Sequence, residues 1–299
     1  MINLTDRKCP ACQENLDSKP SVLPDINPED NIDIIKNYWR GTYKQKIFFP
    51  YHRCKCGALY NKKFFDKESL NQLYSDMEDN VLSGDIKLDI KTKKEYLEQI
   101  KNVFSSKRKK IRVLEVGADN GSFSKLITDT NSFHSISVVE PNQKMHSLLK
   151  FITPSIFSNI KEIPSETKFD LIIAIHVFDH IPDINVYINE LSKHLNEEGF
   201  IYGVVHNEKS IMAKILKKRW PPYCLQHPHL FNFSTINLFF ERLKYEKLFI
   251  KKTKNYFNIG YLLKQLSIAI LKKEINFPNF FSIGLKLGNF SFLYKKKVE

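Results

Sequence analysis

Short apolar runs alternate with amphipathic stretches from about residue 111 to the end of the chain. Residues 111–116 are apolar except at Arg112 and Glu115, and residues 171–175 form an unbroken apolar run. Runs of this length that are rich in β-branched residues predict buried strands of a parallel sheet. Strands are predicted in this way at 111–116, 134–141, 155–157, 171–175, 199–207, 247–253 and 289–296. The pattern therefore predicts an α/β fold with a seven-stranded Rossmann-like sheet.

Amphipathic segments around these strands predict helices. Asp66 is a candidate cap for the first helix, and Ser234 for a later one. The first predicted helix begins at residue 66. Further helices are predicted at 92–104, 122–128, 142–150, 191–195, 235–243 and 259–271, and a possible one at 29–39. Residues 77–85 are predicted to form a polar loop, and 105–110 a charged linker.

Four of the five cysteines form two close pairs, Cys9 with Cys12 and Cys54 with Cys56. Two such pairs can meet around one tetrahedral zinc ion, and four thiolate ligands leave no open position for catalysis. We expect a structural zinc site; buried cysteines without metal are the alternative. Five cysteines are too few for a disulfide framework and the N-terminus lacks an apolar signal core, so we expect a cytoplasmic location.

The chain is expected to contain three regions. Residues 1–65 form a zinc-binding segment, and residues 66–110 form a helical linker region. Residues 111–299 form the α/β domain, with inserted loops and helices at 208–245 and 256–288.

A glycine turn follows the first predicted strand of the sheet. Gly117 and Gly121 lie where the chain must turn sharply and where a ligand can approach bare backbone. A helix that begins near Ser122 would direct its free N–H groups at that ligand. Asp119 stands where the dinucleotide fingerprint G-x-G-x-x-G has its second glycine, so that fingerprint is a poor match.

Two acids accompany this turn. Glu115 lies within the strand, and because burying an unpaired carboxylate is costly, we expect it at the strand's carboxyl end facing a polar or cationic group. Glu140 ends the second strand, 23 positions after Gly117, where an acid accepts hydrogen bonds from ribose hydroxyls. A solvated acid in a turn is the alternative for Glu140.

Histidines follow two of the predicted strands. The sequence HVFDHIPD comes directly after a central strand, whose carboxyl end opens onto the ligand crevice. His176, Asp179 and His180 are therefore candidates for lining the site, although histidines here are often packed structural residues. A loop beyond the fifth strand contains His227 and His229, either of which could take a proton near neutral pH.

The net charge of +13 does not by itself indicate a particular binding partner, because the lysines are scattered along the chain. A solvated basic surface is the simplest interpretation, and attraction to phosphate-bearing substrates or anionic lipid surfaces is the alternative. The most apolar candidate for a membrane span, residues 259–271, is too short and is interrupted by Lys264 and Gln265.

These motifs together resemble those of class I S-adenosylmethionine-dependent methyltransferases with an N-terminal zinc-binding segment. The turn at 115–121, EVGADNG, is similar to E-I-G-S-N-D-G in the group that includes sugar C-methyltransferases. Residues 176–181 resemble H-V-L-E-H-I, and residues 227–234, HPHLFNFS, resemble H-E-H-L-Y-Y-F-S, with Pro228 in place of glutamate. Small-molecule O-methyltransferases with the same zinc segment are a looser match that fits the chain length better.

The resemblance implies S-adenosylmethionine as cofactor, a structural zinc ion and a small-molecule acceptor. It implies His229, the second histidine of the loop, as general base, with His227 and His180 as further candidates. The implied cofactor-binding residues are Glu115, Gly117, Ala118, Asp119, Gly121, Phe123, Glu140, Pro141, Asn159, Ile160, His176 and Val177.

We therefore expect methyl transfer from S-adenosylmethionine to a small acceptor, such as a sugar, a nucleotide-sugar or a secondary-metabolite intermediate. Two alternatives stay open. One is methylation of ribosomal or transfer RNA, which the positive charge suits. The other is a non-catalytic cofactor-binding partner protein, with peripheral membrane contact through the lysine-rich C-terminal region.

Overall fold

The structure is a computed structural model that describes residues 3–15, 19–28, 35, 45–75, 85–104, 111–130, 133–271, 273–279 and 281–297. The possible helix at 29–39, the loop at 77–85 and the linker at 105–110 lie outside these ranges, except at residues 35 and 85. No helix in the described ranges combines the length and the apolar character needed to cross a membrane.

The N-terminal segment contains short strands followed by two helices. These are β1 (Leu4–Asp6), β2 (Tyr51–Arg53), β3 (Leu59–Asn61), β4 (Lys63–Phe65), α1 (Lys67–Ser75) and α2 (Ile86–Phe104). Asp66 caps α1 as predicted, because its Oδ1 accepts a hydrogen bond from the Ser69 N–H at 2.8 Å. Helix α2 begins at Ile86, earlier than the predicted residue 92.

The remaining elements alternate between strands and helices. They are β5 (Ile111–Val116), α3 (Ser122–Thr128), β6 (Phe133–Val139), α4 (Gln143–Leu149), β7 (Ile156–Phe157), β8 (Phe169–Ile175), α5 (Ile184–Lys193), β9 (Leu195–His206), α6 (Ile211–Leu216), β10 (His229–Leu230), α7 (Phe233–Arg242), β11 (Tyr245–Lys252), β12 (Asn255–Asn258), α8 (Ile259–Leu271), β13 (Ser282–Leu285) and β14 (Asn289–Lys296).

Seven strands form one sheet in the order β11-β14-β9-β8-β5-β6-β7. Strand β14 is antiparallel to both of its neighbours, and the other adjacent pairs are parallel. The predicted α/β fold with a seven-stranded Rossmann-like sheet is therefore confirmed.

Helices cover both faces of the sheet. Side chains of α2, α3 and α4 pack on one face, and side chains of α5 and α7 pack on the other. Successive residues of β8 serve the two faces in turn: Leu171 and Ile173 contact the α2 side, and Ile172 and Ala174 contact the α5 side. Because both faces are covered, the strand is apolar throughout.

Two sequence predictions are corrected, and two further strands are added. The helix expected at 191–195 is α5, which ends at Lys193, and Leu195 already belongs to β9. Helix α7 is capped by Asn232 rather than Ser234, because the Asn232 side chain accepts the Thr235 N–H in a reciprocal capping box. Strands β12 and β13, which pair antiparallel on either side of α8, were not predicted.

The N-terminal segment shares a small sheet with a loop that lies much later in the chain. Strands β10, β3 and β2 form a three-stranded sheet, in which His229 lies opposite Tyr60 and Leu230 opposite Leu59. The histidine-rich loop after β9 is therefore held by main-chain pairing to the segment that contains the cysteines.

Candidate active site

A cavity of about 490 Å³ lies at the carboxyl edge of the sheet, where ligands bind in open α/β folds. Helix α2 forms one wall with Asp89 and Lys93, and the region of β12 and α8 forms another. Ile175 and His176, at and just beyond the end of β8, also line the cavity. Of the predicted site residues, His176 lines this cavity, and other walls are supplied by elements outside the sheet.

Hydrogen bonds fix the two walls relative to each other and to the glycine turn. The Tyr256 N–H donates to the Thr92 hydroxyl at 2.9 Å, which joins β12 to α2. At the other side of α2, Asp89 and Lys93 both contact the hydroxyl of Ser122, the first residue of α3. The cavity therefore lies directly beside the start of α3.

The glycine turn has the left-handed backbone that its sequence predicts. Gly117 has φ +69°, Gly121 has φ +75°, and Asp119 between them has φ +51°. A Cβ at Gly117 would lie 2.6 Å from Cγ2 of Val177, so this position excludes any side chain. A Cβ at Gly121 would meet Ile152 and Leu149, so this glycine allows close packing of α3 on α4.

Glu140 is fixed beside this turn. Its Oε2 accepts a hydrogen bond from the Asp119 N–H at 2.7 Å, and its Oε1 accepts one from the Asn142 N–H at 2.8 Å. Burial raises the pKa of Glu140, although these two N–H groups act in the opposite direction. The carboxylate therefore links the end of β6 to the glycine turn, and each oxygen retains a lone pair for a ligand.

Glu115 lies deeper, next to α3. Its Oε2 accepts a hydrogen bond from the Ser124 hydroxyl, and burial raises its pKa to about 7, opposed by Ser124 and by the charge of Lys93. The expectation of a polar partner for Glu115 is met by a residue of the protein itself.

The other cofactor-binding candidates differ in accessibility. Phe123 is fully buried in the core between α2 and the sheet, and its contact with a cofactor stays a prediction. Ala118 belongs to the turn, where its carbonyl accepts the Gly121 N–H at 2.8 Å, and Pro141 is exposed.

Asn159 and Ile160 follow β7 at the same edge of the sheet. The Asn159 side chain caps a short 3-10 helix by accepting the Lys161 N–H, and Ile160 packs in the core below. Their side chains already have partners within the protein, and their contact with adenine stays a prediction.

His176 sits in a strained conformation at the end of β8, with φ +53°. Its ring stacks on His206 with centroids 4.5 Å apart, and burial lowers its pKa to about 4. Its Nε2 lies 3.3 Å from the amide nitrogen of Asn289. His176 is therefore a neutral ring on the cavity wall.

His180 and His227 form a pair beside this ring. Their Nε2 atoms are 3.2 Å apart, so one ring donates a hydrogen bond to the other. The Nδ1 of His227 lies 2.7 Å from the carbonyl oxygen of Pro222 and 3.3 Å from the Cys224 sulfur. Burial lowers the pKa of His227, but Cys224 and Asp179 outweigh it and raise this pKa to about 9.

Both ring nitrogens of His229 already have hydrogen-bond partners within the protein. Its Nε2 donates to the Phe178 carbonyl oxygen at 2.9 Å, and its Nδ1 accepts a hydrogen bond from Arg7 at 3.2 Å. The ring is 1% exposed, and burial holds its pKa well below the usual range. Both contacts anchor the loop, and the role of His229 as general base stays a prediction.

The four predicted metal-ligating cysteines converge. The sulfurs of Cys9, Cys12, Cys54 and Cys56 all lie within 4.8 Å of one another, with two pairs at 3.5 Å. A tetrahedral zinc–thiolate site places sulfurs about 3.8 Å apart, which these distances match far better than a disulfide at about 2 Å. The cluster therefore has the geometry of a zinc site.

Sequence reasoning missed several residues of the site. Asp89, Lys93 and the polar residues of β12 belong to elements that have no motif, so nothing in the sequence marked them. His206 could have been found, because it ends a strand of the parallel sheet and the carboxyl-edge rule applies to it as it does to His176.

Fold and site together define an α/β protein with a strand–glycine turn–helix unit at the carboxyl edge of its sheet. Residues 88–248, more than half of the chain, match the protein family described as "Methyltransferase domain". The chain belongs to this family and is an enzyme that transfers methyl groups.

The chain is also similar to proteins of known structure. The chain is similar to an S-adenosylmethionine-dependent methyltransferase from Clostridium acetobutylicum, at 12% identity over 72% of this chain and 94% of the other, with a TM-score of 0.46. It is also similar to the N-methyltransferase NodS from Bradyrhizobium japonicum, at 12% identity over 77% and 97%, with a TM-score of 0.47. No curated protein was found to match the chain.

Proposed function

We propose that the protein transfers a methyl group from S-adenosylmethionine to a small, hydroxyl-bearing acceptor such as a sugar, a nucleotide-sugar or a secondary-metabolite intermediate. The observation that carries this proposal is the position of Glu140. Its carboxylate is hydrogen-bonded to the glycine turn at the carboxyl edge of the sheet, where an acid accepts ribose hydroxyls.

The residues around the turn fit a nucleoside cofactor. The turn at Gly117 lies beside Glu140, which accepts the Asp119 N–H, and Asn159 and Ile160 would flank the base at the end of β7. When bound, the cofactor supplies a methyl group activated by a sulfonium. The protein then has to align acceptor and methyl group, which is where most of the rate gain arises.

The cavity favours a small polar acceptor over RNA. Its volume of about 490 Å³ is in the range of small-molecule sites, and α2, β12 and α8 enclose it. The lining contains the amides of Asn258 and Asn279 and the phenols of Tyr256 and Tyr261. Amide and phenol groups can both donate to and accept from the hydroxyls of an acceptor.

We assign the removal of the acceptor's proton to the pair of His180 and His227. His180 is partly exposed, whereas His227 is buried behind it and bonded to it at 3.2 Å. With its pKa raised to about 9, His227 already carries its proton near neutral pH and donates to Nε2 of His180, so His180 is the ring of the pair that takes the acceptor's proton. Such general base catalysis contributes about 10²–10⁴-fold to a rate.

We also propose that Cys9, Cys12, Cys54 and Cys56 bind a structural zinc ion in a reducing, cytoplasmic environment. Backbone N–H groups of Ala11 and Cys12 approach the Cys9 sulfur, and they oppose the effect of burial, which raises the pKa of this thiol. N–H groups that face a sulfur favour the thiolate, which is the form that binds zinc. The site would stabilise the segment that holds the loop of His227 and His229.

Calorimetric titration with S-adenosylhomocysteine tests the cofactor site. We expect Gly117→Ala to weaken binding about 10-fold or more, since a side chain there is both strained and in contact with Val177. Glu140→Gln should weaken binding about 10- to 100-fold through lost charged hydrogen bonds.

Matched controls are Gly288→Ala, at a glycine with open space around it, and Glu246→Gln, at an exposed strand position. Both should bind like the wild type. Normal affinity in the Gly117 and Glu140 variants would refute the proposed site.

A further inference from the structure

Helix α8 is strongly apolar, yet it lies on the surface of the molecule. Nine of its 13 residues are apolar, and they are distributed around the whole helix. A helix that is apolar on all sides is normally enclosed in a core or inserted in lipid. The structure describes seven of these apolar side chains, and none of the seven is buried: Ile259, Tyr261, Leu262, Leu263, Leu266, Ile268 and Leu271.

Neighbouring elements add further exposed apolar side chains. Ile211 and Ile215 lie one turn apart and are both exposed on α6, which contacts α8. The Ile259 N–H donates to the carbonyl oxygen of Phe281, whose side chain is 61% exposed. We define the α6–α8 surface as the exposed side chains of α6, of α8 and of residues 273–279 and 281. Exposed apolar patches of this kind mark sites of interaction with proteins or membranes.

Basic residues accompany this apolar area. Residues 209–219 and 259–288 together contain nine lysines and arginines but a single acid, Glu274. That acid pairs with Lys264 at 2.6 Å. The exposed lysines of these ranges are Lys209, Lys214, Lys217, Lys218, Lys273 and Lys286. The excess of positive charge favours an anionic partner.

The turn after α8 keeps apolar and basic side chains together. The Ile275 N–H donates to the Ser267 hydroxyl at 3.2 Å, so the chain folds back onto the helix that it has just left. Lys273 and Ile275, both exposed, therefore lie beside the last turns of α8. Large apolar side chains mixed with lysines are typical of segments that lie in a membrane interface.

We propose that the α6–α8 surface docks the protein on an anionic lipid bilayer. The bilayer interface accepts apolar side chains just below its headgroups, and anionic headgroups attract lysines. A second copy of the chain fits less well, because two surfaces with the same excess of positive charge repel each other. With 13 residues, α8 is too short to span the bilayer, so the docking is peripheral.

Docking would place one wall of the cavity at the membrane. Tyr261 and Asn279 are exposed residues of the α6–α8 surface, and both also line the cavity. The cavity would thus come within reach of hydroxyl groups on lipid headgroups. This consequence rests on the proposed function, whereas binding to the bilayer depends only on the surface.

Co-sedimentation of the full-length protein with vesicles tests the proposal. We expect the wild type to bind vesicles of phosphatidylglycerol and phosphatidylcholine about 10-fold or more tightly than vesicles of phosphatidylcholine alone. This preference should decline as salt is raised from about 0.1 M to about 1 M, because salt screens the lysines.

Two double variants separate the apolar and the charged contributions. Leu271→Ser with Phe281→Ser removes exposed apolar side chains, and it should weaken binding to the anionic vesicles about 10-fold. Lys214→Glu with Lys273→Glu reverses two exposed charges, and it should weaken this binding by at least as much.

Helix α4 and the two residues after it supply matched controls outside this surface. Leu148→Ser with Phe151→Ser removes equally exposed apolar side chains, and Lys144→Glu with Lys150→Glu makes the same change in net charge. Both control proteins should bind the anionic vesicles like the wild type. Thermal unfolding of all four variants should match the wild type, since every substituted side chain is exposed.

Two results of the vesicle assay would overturn the proposal: no binding of the wild type to anionic vesicles, or the same loss in the α4 variants as in the surface variants. Sedimentation velocity without lipid gives a third. A dimer that Leu271→Ser with Phe281→Ser converts to a monomer would show that a second copy covers the surface. None of these measurements requires cofactor or methyl transfer, so the docking can fail while the proposed function stands.

Discussion

Glu115 and Glu140 are both acids at the ends of neighbouring strands, but their surroundings give them different roles. The carboxylate of Glu140 is held by two backbone N–H groups beside the glycine turn. Glu115 is enclosed and bonded to Ser124 within the protein. Burial without a full ionic partner favours the protonated form of Glu115, whose pKa is raised to about 7.

This shift predicts how stability depends on pH. The pKa of Glu115 is higher in the folded state than the ordinary value of 4.5, so its contribution is fully present below pH 4.5 and is lost as the pH rises to 7. The loss amounts to roughly 3 kcal/mol. Glu115→Gln removes this titration, so the wild type should lose stability relative to the variant over that pH range.

Urea unfolding of both proteins between pH 4.5 and 8 measures the difference. Glu246→Gln, at an exposed position, serves as the control and should follow the wild type. A constant difference between wild type and Glu115→Gln across this range would contradict a raised pKa.

The roles of single residues were predictable where they follow from local sequence. The positive φ of Gly117 and the position of Glu140 result from the strand–turn–helix pattern around them. The role of His229 could not be predicted, because its partner Arg7 is 222 positions away and the loop motif alone suggests a base. Asp179 was placed at the site, but its unpaired oxygen becomes visible only in three dimensions.

At the level of elements, the strands of the large sheet were predictable because each is an apolar run bounded by polar residues. The pairing of β10 with β3 was not, since a two-residue strand has no periodicity and its partner is remote in sequence. The antiparallel pair of β12 and β13 was missed for a similar reason, because its strands are short, half-buried and separated by α8. These unpredicted elements hold the histidine loop and wall the cavity.

The anchoring of the histidine loop predicts different effects for two histidines. His229→Ala removes contacts to Arg7 and to the Phe178 carbonyl oxygen and leaves both groups buried, so it should destabilise the protein by about 2–4 kcal/mol. His180→Ala removes a half-buried ring and leaves one nitrogen of His227 without its partner, so it should destabilise the protein less, by about 1–2 kcal/mol, and reduce turnover about 10²–10⁴-fold.

Thermal unfolding compares the stabilities of the two variants with that of the wild type. Their turnover is compared by single-turnover methylation of an acceptor that is found by mass-spectrometric screening. Affinity for S-adenosylhomocysteine should be unchanged in His180→Ala. A stable His229→Ala protein that has lost turnover would restore His229 as the base.

At the level of the whole molecule, the site combines the carboxyl edge of the sheet with α2, β12 and α8, which lie outside the sheet. The glycine turn and Glu140 come from the sheet, whereas the cavity walls come from α2 and from the region of β12 and α8. The N-terminal segment contributes Arg7 and the cysteine cluster, which support the loop of His227. Family membership follows from the match over residues 88–248, which include the strands β5 to β9 of the sheet.

The measurement that tests this account most directly is a crystal structure of the full chain with S-adenosylhomocysteine. We predict ribose hydroxyls within hydrogen-bond distance of Glu140, the homocysteine portion beside Gly117, and the sulfur directed towards the cavity between α2 and β12. A nucleoside bound elsewhere, or a glycine turn that stays covered by protein side chains at saturating ligand, would contradict it.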